Sequence, residues 1–311
     1  MLNEITIFGE KDKVSEAIKR LQAFEPQDRP YWLAFSGGKD SVCILALAKM
    51  AQVKFEAVYN VTSVDPPELV KFIKEKYPDV RRDIPHDRDG KPVTMWSLLR
   101  NRCTPPTRIM RYCCEKLKES SGNGTVTITG VRWAESGNRK KNQGVATITK
   151  KGAEQIAEVQ DSNFRSTVRG GVVLNDDNDE SRRAVEACYR TRKTLVNPII
   201  DWSDDDVWEF IRRYNIPYCE LYDHGRKRLG CIGCPMSGRK GMLRDFEQYP
   251  KYKAEYLRCF DVMMQNRIDR GLDSNLRWKS GQDIFDWWIG EADNRAPDMG
   301  LFENEERRTE A

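Results

Sequence analysis

Six consecutive residues, Ser36, Gly37, Gly38, Lys39, Asp40 and Ser41, join an apolar run at residues 31–35 to a stretch carrying Val42, Ile44, Leu45, Leu47 and Ala48. Their types suit phosphate chemistry. Two glycines let a backbone approach a ligand without Cβ clashes, and the free N–H groups of a first helical turn point at the anion beside them. Ser36 and Ser41 add hydroxyl donors, Lys39 adds a full positive charge, and Asp40 can hold either the helix N-terminus or a magnesium ion. The spacing Gly-x-x-x-x-Gly-Lys-Ser/Thr of a Walker A loop is absent, which turns the expectation away from γ-phosphate transfer.

A second chemical set is made of thiols. The chain has 9 cysteines, many for a protein placed in the cytoplasm, where disulfides rarely persist, so some of them are expected to bind metal or do redox chemistry. Cys231-Ile232-Gly233-Cys234 has the spacing of a metal knuckle, in which a glycine-containing turn brings two thiolates onto one centre. The adjacent pair Cys113-Cys114 is the expected other half. Four thiolates suit a [4Fe–4S] cluster or a tetrahedral zinc, and ligand count does not separate the two. Adjacent cysteines on one centre are uncommon for zinc, which favours iron–sulfur. Arg108, Arg111, Lys116 and the run Arg226-Lys227-Arg228 flank the pairs. They read either as nonspecific contacts to a nucleic-acid backbone or as a solvated face that balances thiolate charge.

These sets need a scaffold. Val14, Ala17, Ile18, Leu21 and Phe24 recur at helical spacing, and Pro26 and Pro30 end that helix before the apolar strand at residues 31–35. Residues 55–62 read as a second strand, with a helix over 69–77 and a strand near 80–84 completing a third β-α step. Residues 125–130 alternate as a strand, and 195–202 read as a last strand ending in a turn, before Ser203 with Asp206 opens a helix in the capping-box pattern Ser203-Asp204-Asp205-Asp206. The prediction is an α/β fold, a parallel sheet flanked by helices with a helical C-terminal part. Residues 1–225 form the nucleotide-binding domain, and 226–311 carry the Cys-x-x-Cys segment and helices. The polar segment 140–183 reads as an insertion of hairpins and loops outside the core, and the tail after Asn294 as frayed.

Composition sets outer limits. The 39% hydrophobic and 32% charged content and the mean hydropathy of -0.70 describe a soluble chain. No apolar run approaches the roughly 18 residues that span a bilayer, and the start carries no secretory pattern. A cytoplasmic location is expected, with no membrane partner. The net charge of +4 leaves any nucleic-acid contact to local patches.

Ser36-Gly-Gly-Lys-Asp-Ser41 resembles the PP-loop of ATP pyrophosphatases, which cleave ATP between the α- and β-phosphates and leave AMP on a substrate. With Cys113-Cys114, the segment 130–139, the segment 197–208 and Cys231–Cys234, the chain resembles the phosphoadenosine phosphosulfate reductase family over about residues 28 to 240. The resemblance implies an adenine nucleotide alpha hydrolase-like sheet. It places Thr62, Ser63 and Asp65 beside adenine and ribose, although Asp65 also suits an ordinary helix N-cap. It makes Gly130, Arg132, Glu135 and Arg139 nucleotide-site candidates, with an Arg-Glu pairing that only stiffens the loop as the other reading. It also implies that Cys113, Cys114, Cys231 and Cys234 hold a [4Fe–4S] cluster.

Two departures select a branch. Sulfonucleotide reductases generally lack the loop lysine, because their substrate is already an adenylate, and they use a mobile cysteine near the C-terminus. Here Lys39 is present and the last cysteine, Cys259, lies in a helical stretch. The chain therefore looks more like DndC-type proteins of DNA phosphorothioation. That likeness implies ATP and Mg2+ as cofactors, with Lys39, Asp40 and Ser41 catalytic. It also implies a cysteine desulfurase and DNA-modification proteins as partners, and DNA ahead of tRNA as acceptor. Sulfonucleotide reduction, tRNA thiolation and a zinc-stapled, non-catalytic nucleotide-binding module are the competing readings.

Overall fold

The computed structural model describes residues 2–6, 9–119, 121–149, 164–167, 171–188, 193–272 and 278–291. The tail after Asn294 lies outside them, as does part of the 140–183 segment. In chain order the elements are β1 (Asn3–Thr6), β2 (Gly9–Asp12), α1 (Lys13–Ala23), β3 (Tyr31–Ala34), α2 (Lys39–Met50), β4 (Phe55–Asn60), α3 (Pro67–Lys76) and β5 (Arg81–Asp83). There follow α4 (Met95–Asn101), β6 (Val126–Ile128), α5 (Gly137–Asn142), β7 (Ala146–Ile148), β8 (Phe164–Ser166), β9 (Val172–Leu174), α6 (Asp179–Cys188), β10 (Thr194–Val196) and α7 (Asp204–Arg213). The last three helices are α8 (Gly238–Gln248), α9 (Pro250–Asp269) and α10 (Gly281–Glu291). No helix among the described residues is long and apolar enough to cross a membrane.

The chain divides into two compact units. The first takes the described parts of 1–60, 67–83 and 120–229 and contains an eight-stranded sheet in the order β5-β4-β3-β6-β10-β7-β9-β8. From β5 to β10 neighbouring strands are parallel, with Leu33 paired to both Ala57 and Ile128. Parallel strands covered on both faces read as apolar runs, which is why residues 31–35 are recognisable. Tyr31 and Leu33 are fully buried, and the Tyr31 hydroxyl donates to the Leu21 carbonyl at 2.7 Å. The apolar stretch that follows folds as α2, and its residues Val42, Cys43, Ile44, Leu45, Leu47 and Ala48 are all buried.

The 140–183 segment corrects the expectation of an excursion outside the core. It supplies β7, β8 and β9, which extend the sheet in antiparallel fashion from β10. Ala146, Ile148, Val172, Val173 and Leu174 are buried there. Three-residue strands are too short to raise the apolar average of a polar stretch, so the pattern was hidden by its surroundings. Asn197, fully buried, fixes this addition to β10 by donating from its amide side chain to the Gly144 carbonyl at 2.8 Å and from its backbone to Val145 at 2.8 Å.

The second unit combines Val61–Pro66 and Ile84–Glu119 with the described residues from Gly230 on, so two earlier segments join the C-terminal region read from the sequence. Its core is aromatic. Trp288 is buried against Tyr256 and Phe260, with ring centroids at 5.0 and 5.3 Å, and Phe246, Phe285, Ile284 and Met263 belong to the same cluster. Burying each such side chain contributes roughly 1.5–3 kcal/mol.

Candidate functional site

The phosphate-type loop is built by the end of one strand. Phe35 N–H still donates to the Val58 carbonyl at 2.9 Å, so the chain leaves the sheet only at Ser36. Gly37 then takes φ +72°, where a Cβ would stand 2.7 Å from Leu69 Cδ1 and 2.8 Å from Ile73 Cδ1. A left-handed turn in a space without room for a methyl requires glycine. Gly38 is extended and begins α2. Its carbonyl accepts Val42 N–H at 3.1 Å and the Ser41 hydroxyl at 2.8 Å, and the Ser36 hydroxyl donates to Ser41 Oγ at 3.3 Å. Gly38 leaves α2 without a side-chain cap from its own N-cap residue. The Tyr222 hydroxyl, from a turn far along the chain, accepts the Lys39 N–H at 2.8 Å.

Four charged groups close around the helix start. Lys39 Nζ donates to Asp204 Oδ1 at 2.9 Å and lies 3.5 Å from Asp40 Oδ2. Arg132 donates from Nε to Asp40 Oδ1 at 2.7 Å and from Nη2 to the same Asp204 Oδ1 at 2.7 Å. Its Nη1 reaches the Trp202 carbonyl at 3.2 Å. The Lys39 and Arg132 side chains are 9% and 2% exposed, whereas that of Asp204 is 69% exposed. Burial alone would raise the Asp204 carboxyl, but the Lys39 and Arg132 hydrogen bonds hold it below its ordinary range. Gly130 lies against this helix start, where a Cβ would come within 2.9 Å of Asp40 Cβ. Glu135 accepts the Arg132 backbone N–H at 3.1 Å and Arg139 Nη1 at 2.7 Å. The structure thus pairs Arg139 with Glu135 and turns the Arg132 side chain toward Asp40 and Asp204.

The thiols gather in the second unit. Cys113 and Cys114 occupy the helical turn Tyr112–Cys114, which runs into a π-helical turn, Glu115–Glu119. Cys231 and Cys234 are held by a tight turn in which Cys234 N–H donates to the Cys231 carbonyl at 3.2 Å. Gly233, at φ +71°, would place a Cβ 2.4 Å from Phe246 Cζ, so a side chain is excluded. Ile232 N–H donates to the Val64 carbonyl at 2.8 Å, and the Tyr256 hydroxyl donates to the Ile232 carbonyl at 3.0 Å. The four thiols share one electrostatic neighbourhood. A hydrogen bond from Cys113, aided by Arg111, pulls the Cys114 thiol down to about 5, while the same bond and burial push Cys113 well up. Burial pushes the Cys231 thiol up to about 11, against the pull of Lys118, whose Nζ donates to Cys231 Sγ at 3.3 Å.

Thr62 and Asp65, candidates for the nucleotide, fall in this thiol group. Thr62 Oγ1 is 3.7 Å and Asp65 Oδ1 3.9 Å from Cys231 Sγ. Asp65 Oδ2 also accepts the Thr62 N–H at 3.3 Å, and the Ser63 hydroxyl accepts from Met95 N–H at 3.0 Å, at the start of α4. Among the described residues, no three His, Cys, Asp or Glu side chains form a group spaced for a metal ion. Sequence reasoning missed Asp204 and Tyr222. Asp204 was read only as the filling of a capping box, although its place after the last parallel strand is where α/β sheets bind ligands. Tyr222 carries no local signal, since it reaches Lys39 across 183 positions.

Residues 30–237 match the family model described as phosphoadenosine phosphosulfate reductase domain. An uncharacterized protein of Methanocaldococcus jannaschii is 28% identical over 258 residues, covering 79% of this chain and 51% of that protein. The chain thus spans about half the length of that relative. An adenosine 5'-phosphosulfate reductase of Oceanobacillus iheyensis is 23% identical over 234 residues, covering 72% of this chain and 79% of that one. Among solved structures, Candida glabrata FMN adenylyltransferase in complex with FMN and an ATP analogue aligns at 15% identity and a TM-score of 0.40, covering 71% of this chain and 63% of that one.

Proposed function

The chain belongs to the phosphoadenosine phosphosulfate reductase family, and from that premise we propose that it cleaves ATP to pyrophosphate while adenylating an acceptor that then receives sulfur. The single observation behind this reading is the convergence of Lys39 Nζ and Arg132 Nη2 on one oxygen, Asp204 Oδ1, at 2.9 and 2.7 Å beside the start of α2. Two nearly buried cations aimed at one point suit an oxygen of a departing pyrophosphate. An adenylate substrate such as a sulfonucleotide carries no β-phosphate for them to hold.

In this reading Ser36, Gly37, Gly38 and Ser41 cradle the β- and γ-phosphates. Lys39 and Arg132 stabilise the charge that grows on the leaving group, Asp40 orients Arg132, and Asp40 would also hold the magnesium that accompanies ATP. A nonbridging oxygen of the acceptor attacks the α-phosphorus and pyrophosphate leaves. A sulfur nucleophile at the sulfide level then attacks the acceptor phosphorus, and AMP departs with the original oxygen. The acceptor we favour is a DNA phosphodiester, ahead of tRNA. Exposed Arg108 of the second unit, and exposed Lys227 and Arg228 of the first, each suit backbone contact. A cysteine desulfurase and DNA-modification proteins would be partners, in the cytoplasm.

Cys113, Cys114, Cys231 and Cys234 would hold a [4Fe–4S] cluster, with zinc the other occupant that four thiolates suit. Their shared neighbourhood, with Lys118 and Arg111 donating to thiols of both pairs, fits a centre of net negative charge. When bound, the cluster supplies sulfide-bridged, redox-active iron. Lys118 and Arg111 offset thiolate charge.

The names of the bacterial relatives favour a second reading, reduction of a sulfonucleotide. Cys259 is fully buried in α9, which does not suit the mobile nucleophile this requires. Anaerobic incubation with ATP and DNA separates the two. AMP and pyrophosphate are expected, with Lys39→Ala lowering their formation by about 100-fold or more. ADP and phosphate as products would remove the reading, and sulfite released from adenylyl sulfate would install the second.

A further inference from the structure

Two groups of the protein already sit where ligand oxygens belong. Asp204 Oδ1 receives Lys39 Nζ and Arg132 Nη2 with the short, charge-assisted geometry of a phosphate oxygen. Tyr222 Oη receives the Lys39 N–H at 2.8 Å, a donor that a helix start otherwise presents to an anion. We propose that Asp204 and Tyr222 are internal surrogates for phosphate oxygens, and that they make the cradle selective for ligands carrying two linked phosphoryl groups. The inference rests on the ATP reading of the same site.

The Asp204 carboxylate takes no part in fixing the elements around it. The Asp204 side chain is 69% exposed, and it stands one residue inside α7, whose cap is made by others. Asp206 N–H donates to Ser203 Oγ at 3.1 Å, and Ser203 N–H to Asp206 Oδ2 at 2.8 Å. Swinging Asp204 away leaves that helix start intact. Tyr222 is half-buried with its ring edge-on to Trp208 at 5.2 Å, and its hydroxyl, kept protonated by burial, can donate to a ligand that displaces it.

Selectivity follows from competition. A single phosphate that enters must give up to Asp204 the two cations it needs, because a tethered carboxylate has a high effective concentration. A pyrophosphate end offers oxygens for the side-chain cations and for the helix N–H at once, so it displaces both surrogates in one event. Asp204 also joins Asp40 in neutralising Lys39 and Arg132 when no ligand is bound.

The test is equilibrium binding of inorganic phosphate and of pyrophosphate to the full chain, without nucleotide. The parent protein is expected to prefer pyrophosphate by at least about tenfold. Asp204→Asn should raise phosphate affinity about tenfold and pyrophosphate affinity less, so the preference collapses. Asp204→Glu, which keeps the charge, should retain much of the preference, and Tyr222→Phe should reduce it by about threefold. An unchanged preference in both Asp204→Asn and Tyr222→Phe overturns the inference, as does a loss of pyrophosphate affinity in Asp204→Asn, which would make Asp204 a holder of the ligand. A parent protein that binds neither pyrophosphate nor ATP would instead remove the ATP reading on which the inference stands.

Discussion

The loop at the start of α2 and the thiol group of the second unit are built in opposite ways. The loop's backbone comes from one continuous stretch, strand to glycine turn to helix, and its hydroxyls bond to neighbours three to five residues away. The thiol group is assembled from segments far apart in the chain. Cys231 meets Lys118 across 113 positions and Thr62 across 169, and its turn is fixed by Val64 and Tyr256. A locally encoded site tolerates damage elsewhere in its unit, whereas an assembled one inherits the stability of everything that packs behind it.

The largest effect should therefore follow a change remote from any thiol. Trp288→Ala empties the centre of the aromatic cluster and is expected to cost about 3–5 kcal/mol. Anaerobic reconstitution with iron and sulfide should then yield chains that hold little metal. Cys231→Ser should lose metal as completely while its unfolding midpoint stays near that of the parent, because it removes a proposed ligand and leaves the packing alone. Metal retained by Trp288→Ala would show the thiol group to be as local as the loop, and a colourless parent protein that takes up one zinc would replace the cluster.

The same contrast explains what was legible beforehand. The loop and the first parallel strand were read from residues 31–41, since a buried strand followed by glycines and a helix start is a contiguous pattern. The Cys-x-x-Cys turn was legible for the same reason. Thr62 and Asp65 were assigned to the nucleotide by resemblance, and the structure sets them against Cys231. That contact depends on the turn that ends β4, where Ser63 takes φ 67°. Tyr222 and the Asp204 bridge were invisible, since one oxygen shared by Lys39 and Arg132 is a property of three separate segments. The strands β7 and β9 escaped because two or three apolar residues in a polar stretch make no periodicity.

A smaller effect tests how local the loop is. Gly37→Ala must adopt φ +72° and push a methyl toward Leu69 and Ile73, which is expected to cost about 1–3 kcal/mol. Gly38→Ala meets only ordinary contacts, 3.4 Å from Tyr222 Oη and 3.5 Å from Ser36 Oγ, and should lie within about 0.5 kcal/mol of the parent. Chemical unfolding of the two variants compares adjacent glycines in one turn. Equal losses would mean that the turn's shape is imposed from outside and not by Gly37.

The smallest effect concerns a long-range charge tie close to the first site in sequence. Lys13 Nζ donates to Asp206 Oδ2 at 2.8 Å across 193 positions, and Asp206 is fully buried two residues beyond Asp204. Burial would raise the Asp206 carboxyl, but hydrogen bonds from Lys13 and from Ser203 bring it down to about 2 from an ordinary 3.8. A carboxyl depressed in the folded state contributes stability that is complete above its unfolded value and is lost as pH falls through its folded value. Asp206→Asn keeps the shape and removes the charge. It should be less stable than the parent by on the order of 1 kcal/mol at pH 7, and the difference should close between about pH 4 and pH 2. Thermal unfolding of the pair across that window measures it. A gap that persists at pH 2 would mean that Asp206 acts through its hydrogen bonds as the cap of α7. The placement of Asp204 would then be as local as the glycine turn it faces.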